Sequence, residues 1–382
     1  LIAMNVIMPG ILPCASRAKI GRQVLAWLAL ALLPLPPVLA GTGAGPGQAG
    51  IDLQDMLGQP VALAGPVQRA VTLPMPAGSM FLSLAGDARR LAGMHPDAHA
   101  FMQQGLLARI FPDSGRIRAD VTRSGFVPNV ETLLQIEPDL VWQWGHMGDD
   151  LIAPLRNAGL PVAALLYGDE ARTREWIRLM GQALGQEDRA AAQLAWRAAV
   201  EHGIRAVTAA IAPAQRPRVM MFSRYAPQYA VGGGSGNFQF DVELAGGRNV
   251  AAGIGNANIV NVEQILAWNP EVILLNNFEP GLTPDTIYAD PMLAELEAVR
   301  QRRVYKIPAA GYRWDPPSQE SPLYWQWLSL ILQPAHFDWP LRANIRTQLQ
   351  QLYGYDATED DLDAVLHLAE NRGSQGYERF SR

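Results

Sequence analysis

The segment Asn129-Val130-Glu131-Thr132-Leu133-Leu134-Gln135-Ile136-Glu137-Pro138-Asp139-Leu140-Val141 returns 132 residues later. The second copy reads Asn261-Val262-Glu263-Gln264-Ile265-Leu266-Ala267-Trp268-Asn269-Pro270-Glu271-Val272-Ile273. Each copy has the same physical reading. Asn-Val-Glu opens a short helix with inward Leu/Ile residues, Pro ends it, and an apolar run follows as a buried strand. Two copies so widely spaced are too few for a solenoid. They predict two similar α/β lobes in one chain, each carrying an exposed glutamate.

Working outward, 382 residues with 49% hydrophobic content suffice for two cores. The net charge of −5 lacks the basic field that nucleic-acid binding requires. At the N-terminus, Arg17, Lys19 and Arg22 precede the apolar run Val24 to Leu33, and Val38-Leu39-Ala40 follows a Pro-rich break. That order predicts a cleaved secretory signal over residues 1–40 and a periplasmic destination; the apolar stretch is short for a membrane span. Residues before Arg17 read as an extended start. The sole cysteine, Cys14, would leave with the signal, so the mature chain is expected to have no disulfide and no thiol nucleophile.

Residues 41–66, Gly/Ala-rich at their start, read as a flexible leader. An N-terminal α/β lobe is expected over 67–184 and a C-terminal one over 214–382. Strands are predicted at Arg69–Leu73, Leu140–Trp144, Pro161–Leu166, Arg218–Phe222, Val272–Asn276 and Arg303–Pro308. A helix is expected from Met80 to Ala85, with Ser79 as its cap. Strands alternating with helices argue for mostly parallel sheets covered on both faces. Between the lobes, Trp196, Val200, Ile204, Val207 and Ile211 form a helical stripe that Pro213 stops. A single long helix within 185–213 therefore joins the lobes at a nearly fixed spacing.

No motif points to catalysis. Gly232 to Gly236 is glycine-rich but lacks Gly-Lys-Ser/Thr, and fits a hairpin or a close backbone approach to a ligand. Neither a Gly-x-Ser-x-Gly elbow nor a His-Glu-x-x-His helix is present. His95 and His99 have metal-ligand spacing, yet Pro96 disfavours a helical His95, and a capping role suits it better. In open α/β sheets ligands sit beyond the carboxyl ends of the strands. The candidates there are Arg123, Trp144, Arg224, Tyr225, Tyr312, Arg313 and Trp314. Aromatic faces suit a bulky ringed ligand, and Arg suits its anionic groups. A glutamate at the same helix position in both lobes, Glu131 and Glu263, suggests paired docking points for a partner with two basic pockets.

The chain resembles the periplasmic binding proteins of ABC importers for iron–siderophore, haem and cobalamin. The resemblance runs from about Arg69 to Leu352, on the two Asn-Val-Glu segments and on Gly236 to Asn249, which ends Asp241-Val-Glu-Leu-Ala245-Gly-Gly-Arg-Asn249. It implies two Rossmann-like lobes joined by one rigid helix, a monomer, and no resident cofactor. It also implies that Glu131 and Glu263 bind arginines of an ABC permease dimer in the inner membrane. Gly311 to Trp314 falls where relatives place ligand contacts, and Asp315 to Ser321 is similar to a subgroup some of whose members bind molybdate. The expected function is capture of a metal chelate, a ferric siderophore, without bond chemistry. Haem, cobalamin or molybdate are the alternative cargoes. A secreted enzyme with an interlobe active site and a ligand-presenting sensor are the alternatives of other classes.

Overall fold

A computed structural model describes residues 50–255 and 258–382. The signal reading of residues 1–40 and Cys14 lie outside the described residues. The expected flexible leader is corrected in its second half: β1 (Ile51–Gln54) and β2 (Pro60–Leu63) form an antiparallel hairpin. The turn of this hairpin blunts an exposed sheet edge. Met56 N–H donates to the Ala164 carbonyl at 3.2 Å, and Ala164 N–H donates to the Asp55 carboxylate at 3.1 Å.

The N-terminal lobe holds β3 (Ala70–Thr72), β4 (Leu91–Met94), β5 (Leu140–Trp144) and β6 (Val162–Leu165), all parallel in the order β4-β3-β5-β6. The C-terminal lobe adds β7 (Arg218–Arg224), β8 (Ala230–Val231), β9 (Arg248–Asn249), β10 (Asn258–Ile259), β11 (Val272–Leu275) and β12 (Val304–Lys306). Its order is β10-β8-β7-β11-β12, parallel through β7-β11-β12, antiparallel at β8 and β10, with β9 on β7. Every residue of β5 and of β11 is buried, as strands covered on both faces must be.

The duplicated segment plays one structural part twice. Its helices, Val130–Ile136 and Val262–Trp268, each bury an aliphatic residue completely, Leu133 and Ile265. Each ends on a left-handed residue before the proline, Glu137 or Asn269. The next acidic residue then pins the first strand of its lobe. Asp139 accepts from the Gln68 and Arg69 amides at 2.7 and 2.8 Å; Glu271 accepts from the Arg218 amide at 2.8 Å.

The interlobe helix spans Glu187–Thr208, about 33 Å at 1.5 Å per residue. Its buried face includes Trp196, Val200 and Ile204 as expected, with Gln193 and Arg197 among them. A helix that the sequence reading did not anticipate, Glu170–Leu184, packs against it. The two approach closely because Gly181 faces Ala190, where a β-carbon on Gly181 would lie 2.4 Å from that of Ala190. One apolar core runs from the N-terminal lobe through the interlobe helix to the helix Ser321–Leu332, all of whose residues are buried. A shared core of this kind restricts independent lobe motion.

Two local expectations change. Ser79 lies inside the helix Ala77–Ala85 and its hydroxyl donates back to Pro76, so it is not the cap. The glycines at 233 and 234 meet protein backbone and not a ligand: β-carbons there would stand 1.7 and 1.9 Å from the Gly255 and Ala252 carbonyl oxygens.

Candidate functional site

The carboxyl ends of β5, β7, β11 and β12 meet at a cleft of about 340 Å³ between the lobes. The N-terminal wall carries Met75, Phe126, Trp144, His146 and Tyr167; the C-terminal wall carries Met221, Ser223, Phe278, Tyr312 and Asp315. Trp144, last residue of β5, organises the first wall. Its ring lies edge-on to Phe126 at 5.7 Å, His146 at 5.1 Å and Tyr167 at 5.8 Å. Such edge contacts align ring quadrupoles and keep the wall rigid. Burial pushes the Tyr167 phenol up to about 12, so it stays a hydroxyl near neutrality. Partial burial, with Arg172 adding to it, lowers His146 and favours its neutral form.

On the second wall, Tyr312 and Arg313 sit in a tight turn closed by a bridge between Ala309 and Arg313. The Arg313 guanidinium is clasped between Phe101 of one lobe, at 4.1 Å, and Phe278 of the other, at 4.4 Å. Its Nε donates to the Asn277 carbonyl at 3.1 Å, while Nη1 is buried without a partner among the described residues. Burial raises Asp315 above the ordinary carboxylate range, against the opposing pull of Arg313. Three residues lining the cleft also carry a buried polar atom without a hydrogen-bond partner among the described residues: Trp144 Nε1, Ser223 Oγ and the Tyr312 hydroxyl. Orphaned buried donors cost free energy unless something accepts from them. These three come from both lobes and are all neutral.

Of the candidates, Trp144 and Tyr312 line this cleft and Arg313 lies behind it, while Trp314, Arg224, Tyr225 and Arg123 stand elsewhere. Trp314 is fully buried and its Nε1 donates to Glu320 at 2.8 Å, so it braces the turn from beneath. The same carboxylate accepts from the Gly311 amide at 2.9 Å and from the Tyr353 hydroxyl at 2.5 Å. A β-carbon on Gly311 would strike both groups, which is why glycine stands there. Arg224 is exposed at the end of β7. Strand alternation puts Met221 and Ser223 in the cleft and turns Arg224 away. Tyr225 donates to Asp290 at 2.7 Å and, with Tyr229, lines a separate groove beside Glu263. Arg123 is on an exposed turn whose Phe126, but not Arg123 itself, lines the cleft.

Sequence reasoning missed Phe101, Phe278, Ser223, Tyr167 and Asp315. Period-two alternation along Arg218–Arg224 was the available signal for Ser223; the others come from loops and a helix whose placement no local pattern shows. His95 is the cap of the helix Pro96–Gln104, with Nδ1 accepting from Asp97 N–H at 3.2 Å and Nε2 against Gly125 O at 3.3 Å. Among the described residues no cluster of three or more His, Cys, Asp or Glu is arranged to hold a metal ion. Glu131 and Glu263 are both exposed in the first turns of their helices.

The sequence model of the periplasmic binding protein family matches residues 121–310, which hold both Asn-Val-Glu segments. The molybdate-binding protein MolA of Haemophilus influenzae is 24% identical over 254 residues, 59% of this chain and 70% of MolA. Its molybdate-bound structure superposes with a TM-score of 0.70 at 22% identity, covering 80% of this chain and 99% of that one. A periplasmic solute-binding protein of Veillonella parvula gives 0.77 at 25% identity, covering 85% and 99%. CeuE of Helicobacter pylori, solved as a nickel–histidine complex, gives 0.66 at 18% identity, covering 83% and 99%, which shows the shared fold. The chain belongs to the periplasmic binding protein family and has the two-lobed, helix-linked fold of these neighbours.

Proposed function

We propose that the protein captures a compact, oxygen-rich metal chelate, a ferric siderophore with aromatic faces, in the interlobe cleft and delivers it to its permease through Glu131 and Glu263. The observation that carries this reading is the pairing of aromatic walls with three unpartnered neutral donors, Trp144 Nε1, Ser223 Oγ and the Tyr312 hydroxyl. Rings of Phe126, Trp144, Tyr167 and Phe278 suit the flat faces of such a ligand, and the donors suit its oxygens. Arg313, held behind Phe278 and Tyr312, supplies a fixed positive field for an anion.

The likeness to MolA favours molybdate as a second reading, because neutral donors also serve a small oxyanion. A tetrahedral oxyanion, however, would leave the aromatic walls largely uncovered. Tryptophan fluorescence titration separates the two, since Trp144 lines the cleft. Ferric catecholate or hydroxamate chelates are expected to quench it at micromolar or lower concentration. Saturable binding of molybdate with none of any ferric chelate would overturn the chelate reading.

A further inference from the structure

The two docking glutamates are not isolated charges. Among the described residues eight large apolar side chains are exposed, and four of them fall into two pairs at the repeat offset. Val127 and Ile259 stand four residues before the glutamate, 46% and 66% exposed. Leu134 and Leu266 stand three residues after it, 49% and 40% exposed. A single exposed leucine needs no explanation. Matched ones on both sides of matched carboxylates do.

The fold alone does not account for them. The core is filled by the neighbours Leu133 and Ile265, both fully buried. Leu134 and Leu266 lie on the outward side, one turn from the glutamate on the same helix face, where a polar residue would be solvated without cost. The preceding positions do not share a backbone either. Val127 closes a turn with Ser124, while Ile259 belongs to β10 and pairs with Ala230. Different local structures thus deliver the same outward aliphatic side chain beside the same carboxylate.

We infer that each lobe presents a three-point epitope, one carboxylate between two aliphatic side chains, to a two-fold-symmetric basic partner that carries an apolar collar around each guanidinium. A duplicated patch calls for a duplicated complement, and two-fold oligomers supply it. The carboxylate calls for Arg, and the aliphatic flanks exclude water from the ion pair once covered, much as neutral contacts surround a hot spot. This rests on the receptor reading above, and the partner is then the permease dimer, not a second copy of the chain.

The test measures binding of the full chain to its permease dimer in lipid nanodiscs at several salt concentrations. The variants are Leu134→Ser with Leu266→Ser, Val127→Ser with Ile259→Ser, and Glu131→Lys with Glu263→Lys; thermal unfolding checks that each is folded. Each aliphatic pair is expected to weaken the complex about tenfold or more while keeping its salt dependence, and the charge-reversed pair to abolish it. Aliphatic variants that bind like the parent would overturn the epitope and leave the glutamate docking intact. A parent chain that binds no permease would overturn both. Sedimentation showing self-association of the parent, lost in the leucine variant, would overturn the assignment in favour of a contact between copies.

Discussion

Arg197 of the interlobe helix grips Glu170 of the N-terminal lobe with both ends of its fork, at 2.5 and 2.8 Å. Its remaining nitrogen donates to the Ser318 carbonyl of the C-terminal lobe at 2.8 Å. The guanidinium, 1% exposed, also lies over Trp325 at 4.9 Å. One buried cation therefore ties both lobes and the linker together behind the cleft. Glu170 has a second cation, Arg174, at 2.8 Å, so its charge is compensated twice.

Arg197→Met is expected to destabilise the fold by about 3–5 kcal/mol, because it leaves a buried carboxylate half-paired and frees the Ser318 carbonyl. Replacing Glu170 by Met as well should recover part of that loss, since hydrophobic pairs often match buried ion pairs. Chemical denaturation of the single and double variants measures both. A loss below about 1 kcal/mol for Arg197→Met would show that the pair is not stabilising.

Removing an orphaned donor should affect ligand and fold in opposite ways. Tyr312→Phe and Ser223→Ala delete groups that have no hydrogen-bond partner among the described residues, so stability should hold or rise slightly. Each should weaken binding of the cargo by about 1 kcal/mol, roughly fivefold. Trp314→Phe should do the reverse, costing about 1–3 kcal/mol of stability by taking the indole donor from Oε2 of buried Glu320, with little change in affinity. Calorimetric titration alongside thermal unfolding resolves the two patterns.

Charge reversal at both docking residues, Glu131→Lys with Glu263→Lys, is expected to abolish uptake of cargo by cells while leaving solution affinity unchanged. Both carboxylates are exposed and outside the cleft lining. Loss of affinity in the purified double variant would refute a role confined to docking.

Asp241 gives the fold a pH dependence. Burial raises its carboxyl to about 8, against the opposing hydrogen bond from Trp325 Nε1 at 2.6 Å. The folded-state value lies above the ordinary aspartate value of 3.8. Below the latter both folded and unfolded chains hold the proton, and stability from this group is complete. Between the two values the unfolded chain releases the proton and the folded chain keeps it, so stability falls as pH rises toward 8, by up to about 1.4 kcal/mol per unit. Asp241→Asn keeps an acceptor for Trp325 and removes this slope. Its stability relative to the parent should therefore grow from pH 5 to pH 8, as denaturation at several pH values would show.

Much of the fold was legible because its signals are local. Leu140–Trp144 and Val272–Leu275 are apolar runs bounded by breakers, and Ser321–Leu332 is an aromatic-rich apolar run that folds as one helix. The helix Glu170–Leu184 carries local signs as well, an Asp169 cap and a left-handed Gly185 stop. The hairpin at 51–63 was read as leader because its order comes from Ala164, over a hundred residues away.

The site was legible only in part. Trp144, Tyr312 and Arg313 announce themselves by chemistry and by position after strands. Trp314 carries the same announcement, and only Glu320 beneath it reveals that the ring is bracing. Arg224 and Tyr225 stand outside the cleft lining for a similar reason: proximity to a strand end does not say which face a side chain takes.

By itself the sequence determined the duplicated plan, the helical linker and the two outward glutamates, since periodicity and breakers act within a few residues. The tertiary structure decided which aromatic rings line the cleft, which donors stay unpartnered, and how Arg197 holds the halves together. Those outcomes depend on desolvation and on contacts between distant segments, energies that no short stretch of chain contains.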